Sequence, residues 1–336
     1  MSLQVREADI RAEKAALVDV LARELPGWSD SRKYDWLFLA NPFGEARCWV
    51  LVDDADAVVG VSAAFPRTLR LGARELRAWV LGDFCVSQSL RSLGPAIRLQ
   101  RAAFDAVERG DVDLVYDFPS RSMMAVHRRM GARQCGELVR RVYLLKADRA
   151  VADRIGHSTL AKGLSAAGNT LLASRASLAR RTNTVDISVL ETDFKNAPDR
   201  GLGVDAGVSL ERTAEYLNWR YRRDPRGPVT ILTSVGAGGD AIVYRRNGDD
   251  VEIVDVFGVG NAAILRELIL AVVDDARAKD ATSVTVSLSS AHPWTAVFGK
   301  LGFRERDSAP FVVYAHANVM TDPAPWFLLS GDRDLF

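Results

Sequence analysis

The sequence predicts an α/β (α+β) chain built as two tandem units, each a mixed, mostly antiparallel sheet flanked by helices. Three observations lead there. Runs of Val, Leu, Trp and Phe bounded by turn residues interleave with segments whose apolar residues recur at helical spacing. The order of these elements in the first half of the chain returns in the second. The composition is that of a cored protein, with 336 residues, 48% hydrophobic and 26% charged, enough for two domains of ~100–200 residues each.

Taken in order, Gln4–Ala8 reads as a short strand. Asp9–Leu25 reads as a helix carrying Ala16, Leu17, Val20 and Leu21 on one face before the Pro26-Gly27 break. Ser31–Ala40 is a second helix, opened by Asp30 or Ser31 as cap and stopped by Asn41-Pro42-Phe43-Gly44. Arg47–Asp53, Ala57–Leu71 and Glu75–Ser87 follow as extended segments whose short polar turns predict antiparallel hairpins. Gly94–Arg109 is helical, Val112–Phe118 a strand, Ser120–Met130 a helix and Glu137–Lys146 a strand. The second half gives strand Ile187–Glu191, helix Ser209–Arg223, and strands Val229–Thr233, Ala241–Tyr244 and Glu252–Phe257. Helix Ala262–Lys279, strand Ser283–Ser287, helix Pro293–Leu301 and strand Phe311–Ala315 complete it.

The units are expected at 1–146 and 186–320, with a linker at 147–185 and a tail at 321–336. The linker holds Lys162, Arg175, Arg180 and Arg181, no acid from Ile155 to Val185, and a leucine stripe (Leu160, Leu164, Leu171, Leu178). This is a basic amphipathic helix, packed across both units or touching an anionic surface.

Lys plus Arg (44) balances Asp plus Glu (43), so no global field recruits nucleic acid. Cys48, Cys85 and Cys135 are odd in number and set in apolar strand-like contexts. They are expected as reduced core thiols, with neither a disulfide nor a metal site. The start has no apolar signal region, and the most apolar stretch, Ala262–Val273, is broken by Arg266 and Glu267. A cytoplasmic protein without integral membrane association is expected.

The most informative stretch runs from Leu81 through Ser87 into Gln88-Ser89-Leu90-Arg91-Ser92-Leu93-Gly94-Pro95-Ala96, a strand entering a polar loop that opens a long helix. Its end spells R-x-x-G-x-A. The first amides of a helix have no intrahelical partners and meet a positive dipole end, so such a loop can hold a pyrophosphate. Gly94 relaxing a turn and Pro95 starting the helix also suit an ordinary loop. Alternation along Trp79–Ser87 puts Trp79, Leu81, Asp83 and Cys85 on one face, with Val80, Phe84 and Val86 on the other. Asp83 is thus a carboxylate in an apolar strand, either paired for structure or tuned as a base.

This strand, loop and helix, followed by strand, helix and final strand, resembles the GNAT superfamily of acyl-CoA N-acyltransferases, whose R/Q-x-x-G-x-G/A motif falls on Arg91, Gly94 and Ala96. Lys300-Leu301-Gly302-Phe303 resembles the superfamily's K-x-G-F mark in the second half. The tandem arrangement is similar to Fem-type and surface-polysaccharide acyltransferases. The resemblance implies that acetyl-CoA or another acyl-CoA binds the first half as co-substrate, against Cys85, Val86, Arg91, Ser92, Gly94, Ala96 and Ser120. Pro95 removes one donor from this loop. The matching place in the second half, Phe257-Gly258-Val259-Gly260-Asn261-Ala262, has no Arg or Gln ahead of it and is expected to be degenerate.

Catalysis in the superfamily is direct transfer to an amine. For the base, Asp83 and, at the end of the next strand, Asp117 are the candidates. Where the superfamily carries a Tyr as thiolate acid, four residues before a helix-ending glycine, this chain has His127 before Gly131, a catalytic group or a bystander. Cys85 with His127 as a covalent pair finds no support in the flanking residues. Trp28, Tyr34, Trp36 and Phe43 lie where the superfamily often meets its acceptor, but their spacing suits core. Tyr216–Tyr221 reads as a packed helix face whose arginine seats on an aromatic ring or the other unit. The expected activity is transfer of an acyl group, most simply acetyl, to an amine of a small metabolite or sugar precursor. A Fem-like aminoacyltransferase using aminoacyl-tRNA and a non-catalytic acyl-CoA-binding protein stay open as alternatives.

Overall fold

The computed structural model describes residues 3–28, 31–148, 165, 167–170, 181–182, 185–198, 207–234, 239–316, 319 and 324–333. The Asp30 cap and nearly all of the linker helix lie outside them.

In the first half, β1 (Gln4–Glu7), α1 (Lys14–Glu24) and α2 (Ser31–Tyr34) precede the hairpin strands β2 (Arg47–Val52), β3 (Val58–Leu71) and β4 (Arg74–Val86). Then come α3 (Leu93–Glu108), β5 (Leu114–Asp117), α4 (Arg121–Arg129) and β6 (Arg133–Leu144). The second half holds β7 (Ile187–Val189), β8 (Val208–Leu210), α5 (Ala214–Tyr221), β9 (Thr230–Ser234), β10 (Ala241–Asn247) and β11 (Asp250–Phe257). It continues with α6 (Ala262–Ala278), β12 (Ser283–Ser289), α7 (Thr295–Leu301), β13 (Arg304–Ala315) and β14 (Trp326–Phe327).

Several boundaries differ from the sequence reading for local reasons. Asp9 Oδ1 accepts the amides of Arg11 and Ala12, a turn that holds back the start of α1 to Lys14. The expected helix Ser31–Ala40 becomes a π-helical turn from Asp35 to Leu39. Ser209 and Leu210 are strand rather than helix because β8 pairs with β3, and Thr213 caps the α5 that follows. Cys48 and Cys85 are buried, but Cys135 is exposed on β6, outside any core.

The strands form one sheet in the order β1-β2-β3-β4-β5-β13-β6-β12-β11-β10-β9-β7, with β8 and β14 attached beside β3. Both halves use the same internal order, with a parallel pair in the equivalent place of each, β4/β5 and β11/β12; β8 and β14 add a further parallel pair in the second half. The last strands are exchanged. β13 enters antiparallel between β5 and β6, and β6 pairs in turn with β12. Each half therefore relies on the other to satisfy its central backbone groups. One face of the sheet carries a shared core, including Leu17, Phe38, Phe65, Tyr216 and Trp326. The opposite face carries two, around Leu99 and Phe104 of α3 and around Leu268 and Val272 of α6. Trp36 and Trp219 stack across the shared core at 4.7 Å, each indole N–H donating to the other's carbonyl at 2.8 Å. The α5 face is packed as expected, with the Arg220 guanidinium 5.7 Å from the Trp36 ring.

Candidate functional site

The parallel ladder of β4 and β5 runs only from Ala78–Leu114 to Val80–Tyr116. Beyond it β4 continues to Val86, bonded to β3 alone, so its other edge turns toward an opening between the strands. At Asp83-Phe84 two residues of β4 stand opposite Ser62 of β3, a β-bulge, and Asp83 takes φ of +43°. The bulge reverses side-chain parity, which corrects the face assignment made from strict alternation. Cys85 joins Val80 in the shared core, while Val86 joins Trp79 and Leu81 under α3. A non-glycine residue held at such a φ stores strain that persists only where surrounding structure fixes it, and such strain concentrates at functional sites.

Two adjoining cavities fill the opening. The outer one, about 510 Å³, is lined by Cys85, Val86, Arg91, Ser92, Ala96 and Ser120, with Glu24, Ser122 and Val126. The inner one, about 380 Å³, is lined by Asp83, Asp117, Trp28, Lys33, Gln100 and Phe118 among others. Leu25, Phe84, Ser120 and Met123 border both.

The outer end has the features of an anion cradle. Ser92 is the N-cap of α3 but makes no side-chain cap bond, which leaves the first-turn amides to a ligand or water. A Cβ on Gly94 would meet nothing within 4 Å. Pro95 is the third residue of α3 and takes one donor from this turn. Arg91 donates from Nε to the Val86 carbonyl at 3.1 Å and pairs with Glu24 of α1 at 3.3 Å, which fixes the guanidinium at the cavity mouth.

The matching places in the second half are filled by the chain itself. Asn261 caps α6, its Oδ1 accepting the amides of Ala263 and Ile264, both at 2.9 Å. β11 and β12 part after Ile253–Val286. The C-terminal segment lies in that opening: the Ser289 amide donates to Leu328 O at 2.9 Å on one side, and the Ser330 hydroxyl to Val254 O at 3.4 Å on the other. Arg212 holds the segment by bridging Asp255 and Asp332, at 2.8 Å each, with Tyr221 donating to Asp255 at 2.6 Å. Burial pushes the Asp332 carboxyl up to about 6 against the pull of Arg212.

Asp83 is half-buried and Asp117 buried in the inner wall. Asp117 Oδ1 accepts the Phe118 amide at 2.7 Å, and Oδ2 lies 2.6 Å from His127 Nε2. His127 is fully buried beside Phe104 and lines neither cavity. Among the described residues it reaches the site through Asp117; of the two readings left open for it, catalytic group or bystander, this position gives its imidazole no direct place in either cavity lining. Burial pushes the Cys85 thiol up to about 12. It stays protonated at neutral pH and is a poor nucleophile, against a covalent pair with His127. Sequence reasoning missed Lys33, Gln100 and Glu24. Gln100 left a usable signal, a polar residue on the buried stripe of α3 that includes Leu99, Ala103 and Phe104.

No family profile and no curated protein matches the sequence. Solved structures do match its fold. A conserved protein from Enterococcus faecalis V583, described as a probable N-acyltransferase, superposes with a TM-score of 0.65 at 11% identity, over 94% of this chain and 73% of that one. A GCN5-related N-acetyltransferase from Anabaena variabilis gives 0.64 at 11%, over 94% and 73%. Saccharomyces cerevisiae N-myristoyltransferase with bound myristoyl-CoA gives 0.57 at 12%, over 94% and 79%. The chain therefore has the fold of the GCN5-related N-acetyltransferases.

Proposed function

We propose that the chain is an acyl-CoA-dependent N-acyltransferase, with acetyl the simplest donor group, acting on the amine of a small molecule. One observation carries this reading. Among the described residues, the first half keeps both the strand opening and the first turn of the following helix clear, whereas the second half closes its opening with residues 328–332 and caps its helix with Asn261.

On this reading the amides at the start of α3, with Arg91, Ser92, Gly94, Ala96 and Ser120, hold the pyrophosphate end of coenzyme A. The free edge of β4 at Cys85 and Val86 pairs with the amide groups of its extended arm. Main-chain N–H groups at the bulge polarise the thioester carbonyl. Asp83, the more accessible of the two carboxylates, draws a proton from the acceptor ammonium. The amine nitrogen then forms the new C–N bond as the C–S bond breaks, and its second proton goes to the departing thiolate. Asp117, tied to His127, orients the acceptor from its place in the same cavity. No step needs a metal or nucleic acid, and the free thiols suit work in the cytoplasm. Calorimetry with acetyl-CoA and thiol release with an amine panel test the reading; it fails if neither binding nor release is found.

A further inference from the structure

The inner cavity holds two buried polar groups that have no partner among the described residues. Gln100 is 1% exposed and Trp28 3%. Gln100 Oε1 accepts from the Ser62 hydroxyl at 3.2 Å, while Nε2 is buried without a partner among the described residues. Turning the carboxamide over only exchanges the two ends, because Ser62 can satisfy one of them at a time. The Trp28 indole Nε1 is likewise buried without a partner. Its ring carries the Lys33 ammonium 4.4 Å from its centroid. Each such orphan carries a desolvation penalty in the folded protein, and most buried polar groups avoid it by finding a partner. Two of them in one wall, beside Lys33, Asp83 and Asp117, mark a surface shaped for a polar occupant. Alkyl or aryl groups packed there would leave Gln100 Nε2 and Trp28 Nε1 desolvated and unanswered.

We infer that the inner end of the cleft recognises an acceptor amine that also bears hydroxyl or carboxylate oxygens, of the amino-acid or amino-sugar type, with Gln100 and Trp28 as its specificity-determining hydrogen-bonding residues. The inference rests on the acyltransferase reading above and adds the chemical class of its acceptor. The discrimination follows from the orphaned groups: a site built to hydrogen-bond an oxygen rejects the analogue lacking it, because its own polar groups are then left unpaired.

The test supplies acetyl-CoA and compares thiol release with glycine, ethanolamine and glucosamine against n-butylamine and phenethylamine. The expected result is a kcat/KM at least roughly ten-fold higher for the best oxygen-bearing amine than for either hydrocarbon amine. Trp28→Phe and Gln100→Leu should each narrow that gap about five- to ten-fold, chiefly through KM. A preference for the hydrocarbon amines, or a gap unchanged in both variants, overturns the inference. Should none of the five amines react, the Ser62→Ala, Gln100→Leu double variant decides it by melting temperature. Removing both members of a polar pair retained for a ligand leaves the melting temperature equal or higher; a fall of several degrees shows a structural role and overturns the inference. Calorimetry with acetyl-CoA on the same preparations separates the two failures. No binding overturns the acyltransferase reading and this inference with it, whereas binding without an oxygen preference overturns this inference alone.

Discussion

Asp83→Asn separates chemistry from folding at this site because of where Asp83 sits. At φ of +43° most side chains are strained, but Asn tolerates the left-handed region as well as Asp does. The Asn variant keeps the size of the side chain and the bulge, so its melting temperature should stay within about a degree or two of the parent. What it loses is the ability to take a proton. If Asp83 is the base, kcat/KM falls by roughly 10²–10⁴, equivalent to about 3–5.5 kcal/mol of transition-state stabilisation. Asp83→Ala adds a backbone penalty of roughly 1–2 kcal/mol, so it should melt a few degrees lower while losing no more activity than the Asn variant. The assay is continuous thiol release with the best amine found, with acetyl-CoA affinity and melting temperature measured on the same preparations. A well-folded Asn variant that turns over normally refutes the assignment and moves it to Asp117, whose carboxylate lines the same cavity.

Two further predictions concern what closes the fold. The Asp332 carboxyl, held at about 6 in the folded protein against about 3.9 in an unfolded chain, binds its proton more tightly when folded. Its stabilising contribution is present below about pH 4 and lost as pH rises through about 6, a change of roughly 3 kcal/mol. Melting curves of Asp332→Asn should therefore lose less stability than the parent across that window, and parallel pH profiles would contradict the assignment. The exchange of last strands predicts that a fragment of residues 1–146 does not fold alone, since β13 supplies the strand between β5 and β6; a cooperative thermal transition by circular dichroism would contradict this.

Local signals carried most of the fold. The hairpins β2-β3-β4 followed from Val- and Trp-rich runs separated by Asp53–Asp56 and Gly72–Arg74. The helix-ending glycines Gly131 and Gly302 do take the positive φ that suits them, 85° and 101°. Long-range pairing was not legible. Nothing in Arg304–Ala315 announces that it will sit between β5 and β6, because an antiparallel strand reads alike whichever neighbours it finds. At the site, the loop from Arg91 to Ala96 was legible because a helix start with glycine carries its own chemistry. The bulge at Asp83 was not, since one extra residue leaves no compositional trace yet reverses the facing of Cys85 and Val86. His127 stayed open between two readings for a related reason: its distance from Gly131 fixes its place on α4, but burial beside Phe104 decides what it can touch.

The central claim, that the first half alone holds the acyl donor, is tested most directly by a matched pair of substitutions. Gly94 is the second residue of α3 and Gly260 lies just before the Asn261 cap of α6; neither has a positive φ, and a Cβ on either meets nothing within 4 Å. An Asp at each place is thus sterically tolerated, whereas Gly258 is unsuitable because a Cβ there would lie 2.3 Å from the Gly239 carbonyl oxygen. Titration calorimetry with acetyl-CoA should give one site per chain in the parent. Gly94→Asp should weaken binding at least about ten-fold by setting a carboxylate against the pyrophosphate, and Gly260→Asp should leave it unchanged. Loss of binding in Gly260→Asp with retention in Gly94→Asp would contradict the account.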